Sequence, residues 1–255
     1  MKGLRQHPLR VAGRLLWFGG EVLLSLFDFI IRCVFCPKNS RRRRRTLWLQ
    51  RICRRVGRIF RLKIQSAGMI PAGGLLICNH LSYLDILVLA SLMPAVFVAK
   101  REVKSWPAMG WLAQLGGTVF IDRQRRTHVG EVNHEIEAAL NDGALVIVFP
   151  EGTSSDGETI LPFKSSLLQP ATQSQHPLNI GFLQYALADG EAGAEACYWG
   201  NAAFLPHLLN LLSKQSVHTD VQFAPVKDRS PGRKGLAQQL HSQVLGLKNS
   251  RPKII

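Results

Sequence analysis

Acidic residues are scarce in this 255-residue chain: 17 Asp and Glu stand against 32 Lys and Arg, a formal net charge of +15. So lopsided a balance points to a polyanionic partner, either nucleic acid or an anionic membrane surface. A recognisable nucleic-acid-binding motif is missing, which argues against nucleic acid and favours the membrane. Cysteine is sparse as well. Five residues at irregular spacing (Cys33, Cys36, Cys53, Cys78 and Cys197) argue against a disulfide framework and suit a reducing compartment. Cys33 and Cys36 form a C-x-x-C pair, but no second pair follows at zinc-binding spacing. Packing or membrane burial is the better reading, and no metal is expected. Ser82, Ser154 and Ser155 lack a G-x-S-x-G setting, which weakens a hydrolase reading. There is no internal repeat. With 46% hydrophobic and 19% charged residues the chain is too apolar to be disordered, and its length suits one sizeable α/β domain with appendages.

An uninterrupted membrane-length apolar run is also absent. The stretch 15–35 comes close, but Glu21 and Asp28 break it and no small-x-small cleavage site follows, so it is neither a signal peptide nor a good span. On a helix, Glu21, Ser25, Asp28 and Arg32 fall at i, i+4, i+7 and i+11 and share one face; the rest is a wide apolar surface. Residues 41–45 are all arginine, followed by Arg51, Arg54, Arg55, Arg58, Arg61 and Lys63. A solvated linker or helix face is the plain reading of this run. Attraction to anionic head groups, roughly 1 kcal/mol per basic residue, is the sharper one. A second amphipathic stretch covers 47–62, with Leu49, Ile52, Cys53, Val56, Ile59 and Phe60 on its apolar side. Residues 1–62 are therefore expected to form a helical hairpin at the membrane interface. A full span by the first helix is the alternative, and the size of the apolar face disfavours two ordinary helices packed on a core. The expected location is the cytoplasmic face of a membrane, the inner membrane of a bacterium.

From residue 64 the pattern becomes short apolar runs alternating with helical stretches. Strands are predicted over 74–78, 96–99, 118–121, 145–149, 178–183 and 219–223, and helices over 84–93, 109–115, 128–141 and 233–246. This rhythm predicts an α/β domain over 63–247, a mostly parallel sheet flanked by helices, followed by a loosely held tail at 248–255. The small, polar region 188–196 reads as a loop.

Sites in open α/β sheets lie beyond the carboxyl ends of strands. His80 follows the first predicted strand, Lys100 and Arg101 the second, Arg123 the third and Glu151 the fourth. His80 is the candidate general base, since imidazole titrates near neutral pH. Asp85 is its candidate orienter. On one continuous helix, residues five apart point about 140° away from each other. With Ser82 as N-cap and Asp85 at the third helical position, His80 sits in the loop before the helix and Asp85 can reach back to it. A carboxylate on Nδ1–H then fixes the tautomer and leaves Nε2 for a substrate proton. Arg123 is the leading phosphate ligand, by its bidentate fork, with Lys100 as an added point charge. For Arg125 and Arg126 a solvated surface role is as good a reading. Gly152 lets backbone approach a ligand, Glu151 is suited to an acceptor hydroxyl, and Thr153 and Ser154 offer donors. Cys78 ends an apolar strand and reads as buried.

Asn79-His80-x4-Asp85, Gly117-x-x-Phe120-Ile121-x-Arg123 and Phe149-Pro150-Glu151-Gly152-Thr153-Ser154 together resemble three blocks of the glycerolipid acyltransferases, in order and spacing, over roughly 60–226. The likeness is greatest to 1-acylglycerol-3-phosphate O-acyltransferases of phospholipid biosynthesis. It implies His80 as base and Asp85 as its partner, and Asn79, Lys100, Arg123, Glu151, Gly152 and Thr153 in substrate binding. It further implies no cofactor, an acyl-CoA or acyl-carrier-protein donor, a lyso-lipid acceptor and an N-terminal two-helix membrane motif. A fourth block with a central proline has Gly181 in its place, within 177–182. The stretch 149–168 also resembles acyltransferases that act on lyso-ornithine lipid, the alternative acceptor. More remote readings are a thioesterase or lipid hydrolase using the same base with water, and a non-enzymatic basic tether.

Overall fold

The computed structural model describes residues 7–106, 109–122 and 128–250. A seven-stranded sheet runs in the order β1 (Leu62–Ala67), β7 (Val217–Pro225), β6 (Leu178–Leu187), β2 (Gly74–Cys78), β5 (Leu145–Val148), β3 (Ala95–Lys100), β4 (Val119–Ile121). The β6–β7 pair is antiparallel and every other neighbouring pair is parallel. Side chains alternate across the central strands, as the two-residue period of a strand demands. Leu76, Cys78, Leu145 and Ile147 face one core, with α2 (Arg41–Ile59) and α3 (Leu84–Leu92). Leu75, Ile77, Val146 and Val148 face another, with α5 (His128–Asn141) and α9 (Arg233–Asn249). This is the mostly parallel α/β architecture expected.

Two elements were not expected. The helical reading of 47–62 overran the edge strand β1. In fact α2 stops at Ile59 and Arg61 reverses the chain at a φ of 47°. β1 is partly covered at Leu62 and Ile64 only, so its apolar signal is short. The helix α8 (Phe204–Ser213) lies outside the predicted helices; Pro206 sits in its first turn, where a missing N–H costs nothing. The region 188–196 holds one short helix, α7 (Ala192–Glu195). Residues 248 and 249 are not tail but the end of α9, and Lys248 donates to the carbonyl of Gly157 at 3.0 Å.

The N-terminal helix α1 (Pro8–Phe29) runs into one π-helical turn, Ile30–Val34. Its amphipathicity is inverted. The residues it buries are Val11, Arg14, Glu21 and Ser25, while Leu16, Leu23 and Phe27 are exposed at 80%, 71% and 60%. The polar stripe docks on α2: Arg55 donates to Glu21 at 2.8 Å and to Ser25 Oγ at 3.2 Å, and Trp48 Nε1 donates to the Ser25 carbonyl at 3.0 Å. Nearer the N-terminus, buried Arg14 donates to the carbonyls of Leu212 and Lys214 at the end of α8, at 3.0 and 2.6 Å. These carbonyls lack partners within their own helix, so the guanidinium acts as a cap.

The helix α2 corrects the picture of an interfacial hairpin. Trp48, Ile52, Val56, Ile59 and Phe60 are buried in the main core, packed with α3. The boundary expected at residue 62 therefore coincides with no break in packing. The arginine run is not a linker but the first turns of α2, where positive charge opposes the helix dipole. Arg42 pairs with Asp142 at 2.7 Å and Arg45 lies over the Phe29 ring. Among the described residues, no helix is long and apolar enough to cross a membrane. Cys33 and Cys36 are buried free thiols.

Trp48→Ala empties a fully buried site in this core. We expect a loss of about 3–5 kcal/mol, read from urea denaturation. A loss under about 1 kcal/mol would show that α2 is peripheral to the fold.

Candidate active site

Strand order brings the site together. β2 pairs with β5 (Ile77↔Val148), β5 with β3 (Phe97↔Ile147) and β3 with β4, all parallel, so the segments that follow them meet above one sheet edge. His80, Glu151 and Lys100 stand there. Arg123, together with Arg125 and Arg126, lies outside the described residues.

The His80 ring meets Asp85 at 2.6 Å, Nδ1 to Oδ2. The same oxygen accepts the backbone N–H groups of Leu81 at 2.8 Å and Ser82 at 3.1 Å. Asp85 Oδ1 accepts the Tyr185 hydroxyl at 2.6 Å. An oxygen that already accepts two N–H groups requires a donor from the ring, so Nδ1 carries the hydrogen, and the neutral ring is the tautomer with its lone pair on Nε2. The His80 ring also stacks on Phe149, with centroids 4.3 Å apart. The local geometry differs from the capping expected. Tyr83 occupies the N-cap position of α3 and makes no side-chain cap; Ser82 Oγ is buried without a hydrogen-bond partner. Asp85, at the second helical position, bonds N–H groups of the loop before the helix instead, and that is what turns its carboxylate back onto the His80 loop.

Glu151 and Asn79 stand behind the site rather than at its surface; each is 1% exposed. Glu151 Oε1 accepts the His80 N–H at 2.7 Å and Oε2 accepts the Leu161 N–H at 2.8 Å. The carbonyl of His80 is held in turn by Ser155 N–H at 3.0 Å. Both backbone groups of His80 are thus clamped by the segment after β5. Burial raises the Glu151 pKa to about 7, outweighing the two N–H bonds and His80, which pull it down. Asn79 brackets the backbone of Leu183, its Nδ2 on the carbonyl at 3.0 Å and its Oδ1 on the N–H at 2.8 Å. Their burial corrects the expectation that these two residues face a ligand directly.

His80 opens on an apolar cleft of about 300 Å³. Lys100, Gly152, Thr153 and Ser154 line it near the histidine, and Gly152 adopts a φ of 70°, a left-handed turn suited to glycine. The remaining wall is hydrocarbon: Leu49, Ile52 and Val56 of α2, Phe18 of α1, Phe97 of β3 and Leu87 of α3. The apolar face of α2 is thus a wall of the cleft as well as part of the core. Trp199 and Tyr198 close another side; Tyr198 N–H donates to the Leu81 carbonyl at 2.8 Å. Beneath, buried Tyr83 contacts His207 Nδ1 at 2.9 Å, and His207 Nε2 lies 3.1 Å from the Cys197 carbonyl. A carbonyl only accepts, so Nε2 holds the proton and the Tyr83 hydroxyl donates to Nδ1. Burial lowers the His207 pKa and keeps the ring neutral. Neither Tyr185 nor His207 carried a signal in the sequence; each joins the site across 100 residues or more. Burial pushes the Cys78 thiol well above its ordinary range, in keeping with a packing role.

Residues 61–179 match the Acyltransferase family. Lyso-ornithine lipid O-acyltransferases of Rhizobium meliloti (strain 1021) and Brucella abortus (strain 2308) are 32% and 33% identical to this chain. Those alignments cover 90% of it and 83% and 91% of those proteins. A 1-acyl-sn-glycerol-3-phosphate acyltransferase of Neisseria gonorrhoeae is 34% identical over 62% of each chain. The solved structure of the 1-acyl-sn-glycerophosphate acyltransferase PlsC from Thermotoga maritima superposes with a TM-score of 0.63 at 18% identity. It covers 98% of this chain and 100% of that one, and so shares the fold.

The buried Glu151 carboxyl generates a pH test. Its folded pKa of about 7 lies above the ordinary glutamate value of 4.5, so the folded chain holds the extra proton between those values. Stability therefore falls as pH rises through that window. Glu151→Gln removes the titration and sets an amide N–H₂ against a backbone donor. The variant is expected to be less stable at pH 5, and to lose about 2–3 kcal/mol less than the parent on going to pH 8, measured by urea denaturation at both values.

Proposed function

The chain belongs to the acyltransferase family, and from that premise we propose that it transfers a fatty acyl group from a thioester, acyl-CoA or acyl-carrier protein, to the hydroxyl of a lyso-lipid at a membrane surface. The observation that carries this reading is the His80–Asp85 pair, bonded through Nδ1 and bordering an apolar cleft. His80 Nε2 takes the hydroxyl proton as the oxygen attacks the thioester carbonyl. Asp85 holds the tautomer and stabilises the imidazolium that forms. The tetrahedral intermediate collapses, and the proton leaves with the thiol. A thioester is already activated, so no protein nucleophile is required. The hydrocarbon walls suit an acyl chain, and Lys100, with Arg123, suits an acidic head group. Glu151 and Asn79 serve this scheme through the backbone they hold.

For the acceptor, the relatives that span nearly the whole chain favour lyso-ornithine lipid. Lys100 at the cleft and the shorter match favour 1-acylglycerol-3-phosphate, the first expectation from the motifs. Membrane attachment is supported by the outward apolar face of α1, whose polar groups are already satisfied by α2, and by the cluster of arginines at the start of α2. In this reading α1 lies in the interface of the cytoplasmic leaflet.

Two sets of measurements test the proposal. Purified enzyme offered both lyso-lipids with both donors is expected to acylate one strongly preferred acceptor. His80→Ala and Asp85→Asn are each expected to lower kcat by about 10²–10⁴-fold. Thiol release that ignores the acceptor would indicate hydrolysis instead, and wild-type transfer by either variant would sink the assignment of the base. For the membrane, replacing exposed Leu16, Leu23 and Phe27 together by Ser is expected to weaken sedimentation with anionic vesicles at least tenfold, roughly what losing a few buried apolar side chains implies. Unchanged sedimentation would remove α1 as the attachment surface.

A further inference from the structure

We propose that Tyr185 is a positioning residue of the His80–Asp85 pair, and that the part of β6 extending beyond β2 is the template on which the pair is set. This rests on the reading of His80 as the base.

The last register pair of β2 with β6 is Cys78↔Gly181, yet β6 continues to Leu187. On its other side the extension stays in register with β7 as far as Leu187↔Val217, so it is a rigid edge and not a loose end. The chain after β2 leaves the sheet to form the catalytic loop, and the exposed edge of β6 is what this loop meets. Two contacts fasten them together. Asn79 imitates a strand neighbour by bonding both backbone groups of Leu183. Two residues along, on the same face of the strand, Tyr185 gives its hydroxyl hydrogen to Asp85 Oδ1 at 2.6 Å.

Asp85 is wholly buried and, as a carboxylate, offers acceptors only. Tyr185 therefore donates, and burial together with the Asp85 charge pushes its pKa well above the ordinary phenol range. Oδ2 is occupied by the His80 ring and two backbone N–H groups. Tyr185 donates to the other oxygen, and so fixes the rotation of the carboxylate about its Cβ–Cγ bond and draws part of its charge away from His80. The other titratable groups near Asp85 are Glu151 after β5, Cys78 at the end of β2 and Cys197 after α7.

The test is Tyr185→Phe, assayed with the preferred lyso-lipid and donor. Loss of the donor leaves Asp85 more basic and its imidazolium partner more stable, so the acid limb of the kcat profile moves to higher pH, by about half a unit to one unit. We expect kcat to fall roughly 5–50-fold, less than for loss of the base itself, with KM for both substrates within about twofold. In an Asp85→Asn background the same change is expected to cost under about twofold, because the group it acts through has gone. An unmoved acid limb, or an equal cost in both backgrounds, overturns the proposal. Activity retained by His80→Ala overturns the base assignment instead. Should Tyr185→Phe fail to fold, 3-fluorotyrosine at 185, a stronger donor of the same shape, carries the test. Its acid limb is expected to move to lower pH, and no movement refutes the role.

Discussion

A negative charge with no access to water organises this protein. Asp85 is fully buried at the start of α3, and an ionised carboxylate in such surroundings is tolerable only if every oxygen finds donors. It finds four: the His80 ring, two backbone N–H groups of the loop, and the Tyr185 hydroxyl. Meeting that demand folds the 79–83 loop tightly over the end of β2, sets the imidazole tautomer, and links the loop to β6. The same bonds that offset the cost of a buried carboxylate commit Nδ1 of the ring to it and keep Nε2 as the nitrogen for substrate. Folding and chemistry thus have one electrostatic solution here.

The loop is held from a second side by Glu151. Its two oxygens collect N–H groups from His80 and Leu161, tying the segments after β2 and β5 across a parallel pair of strands. Gly152, Thr153 and Ser154 follow at once and reach the cleft. One carboxylate orients the ring of His80, the other its backbone. A histidine fixed at both ends loses little entropy when it acts, which is the physical meaning of preorganisation in such a site.

Charge neutralisation also shapes the N-terminus. Glu21 and Ser25 of α1 would oppose contact with lipid if they faced outward. They face α2, where Arg55 and Trp48 bond them, and the hydrocarbon is left on the outside. Leu49, Ile52 and Val56 of α2, with Phe18 of α1, form part of the cleft wall, so both helices border the apolar interior next to His80.

Several of these features were legible before any coordinates. The six predicted strands and four helices are present because their periods of two and 3.6 residues are written locally. The five-residue spacing of His80 and Asp85, and the shared polar face of Glu21, Ser25 and Asp28, are local as well. What local pattern does not encode is who lies opposite. A stripe of arginine and apolar residues in α2 reads equally as an interfacial helix or as a core helix, and only packing against α3 decides for the core. Glu151 and Asn79 read as ligand-facing polar groups, yet the meeting of β2 with β5 and β6 turns both to backbone. Tyr185 is silent in sequence because its meaning is a contact 100 residues away. The sequence by itself determined the element types, the sheet edge where the motifs gather and the pairing of His80 with Asp85, since these rest on spacing along one chain. The tertiary structure alone decided which polar groups are spent on holding the scaffold and which stay free for substrate, because a hydrogen-bond partner is set by proximity in space and not by order along the chain.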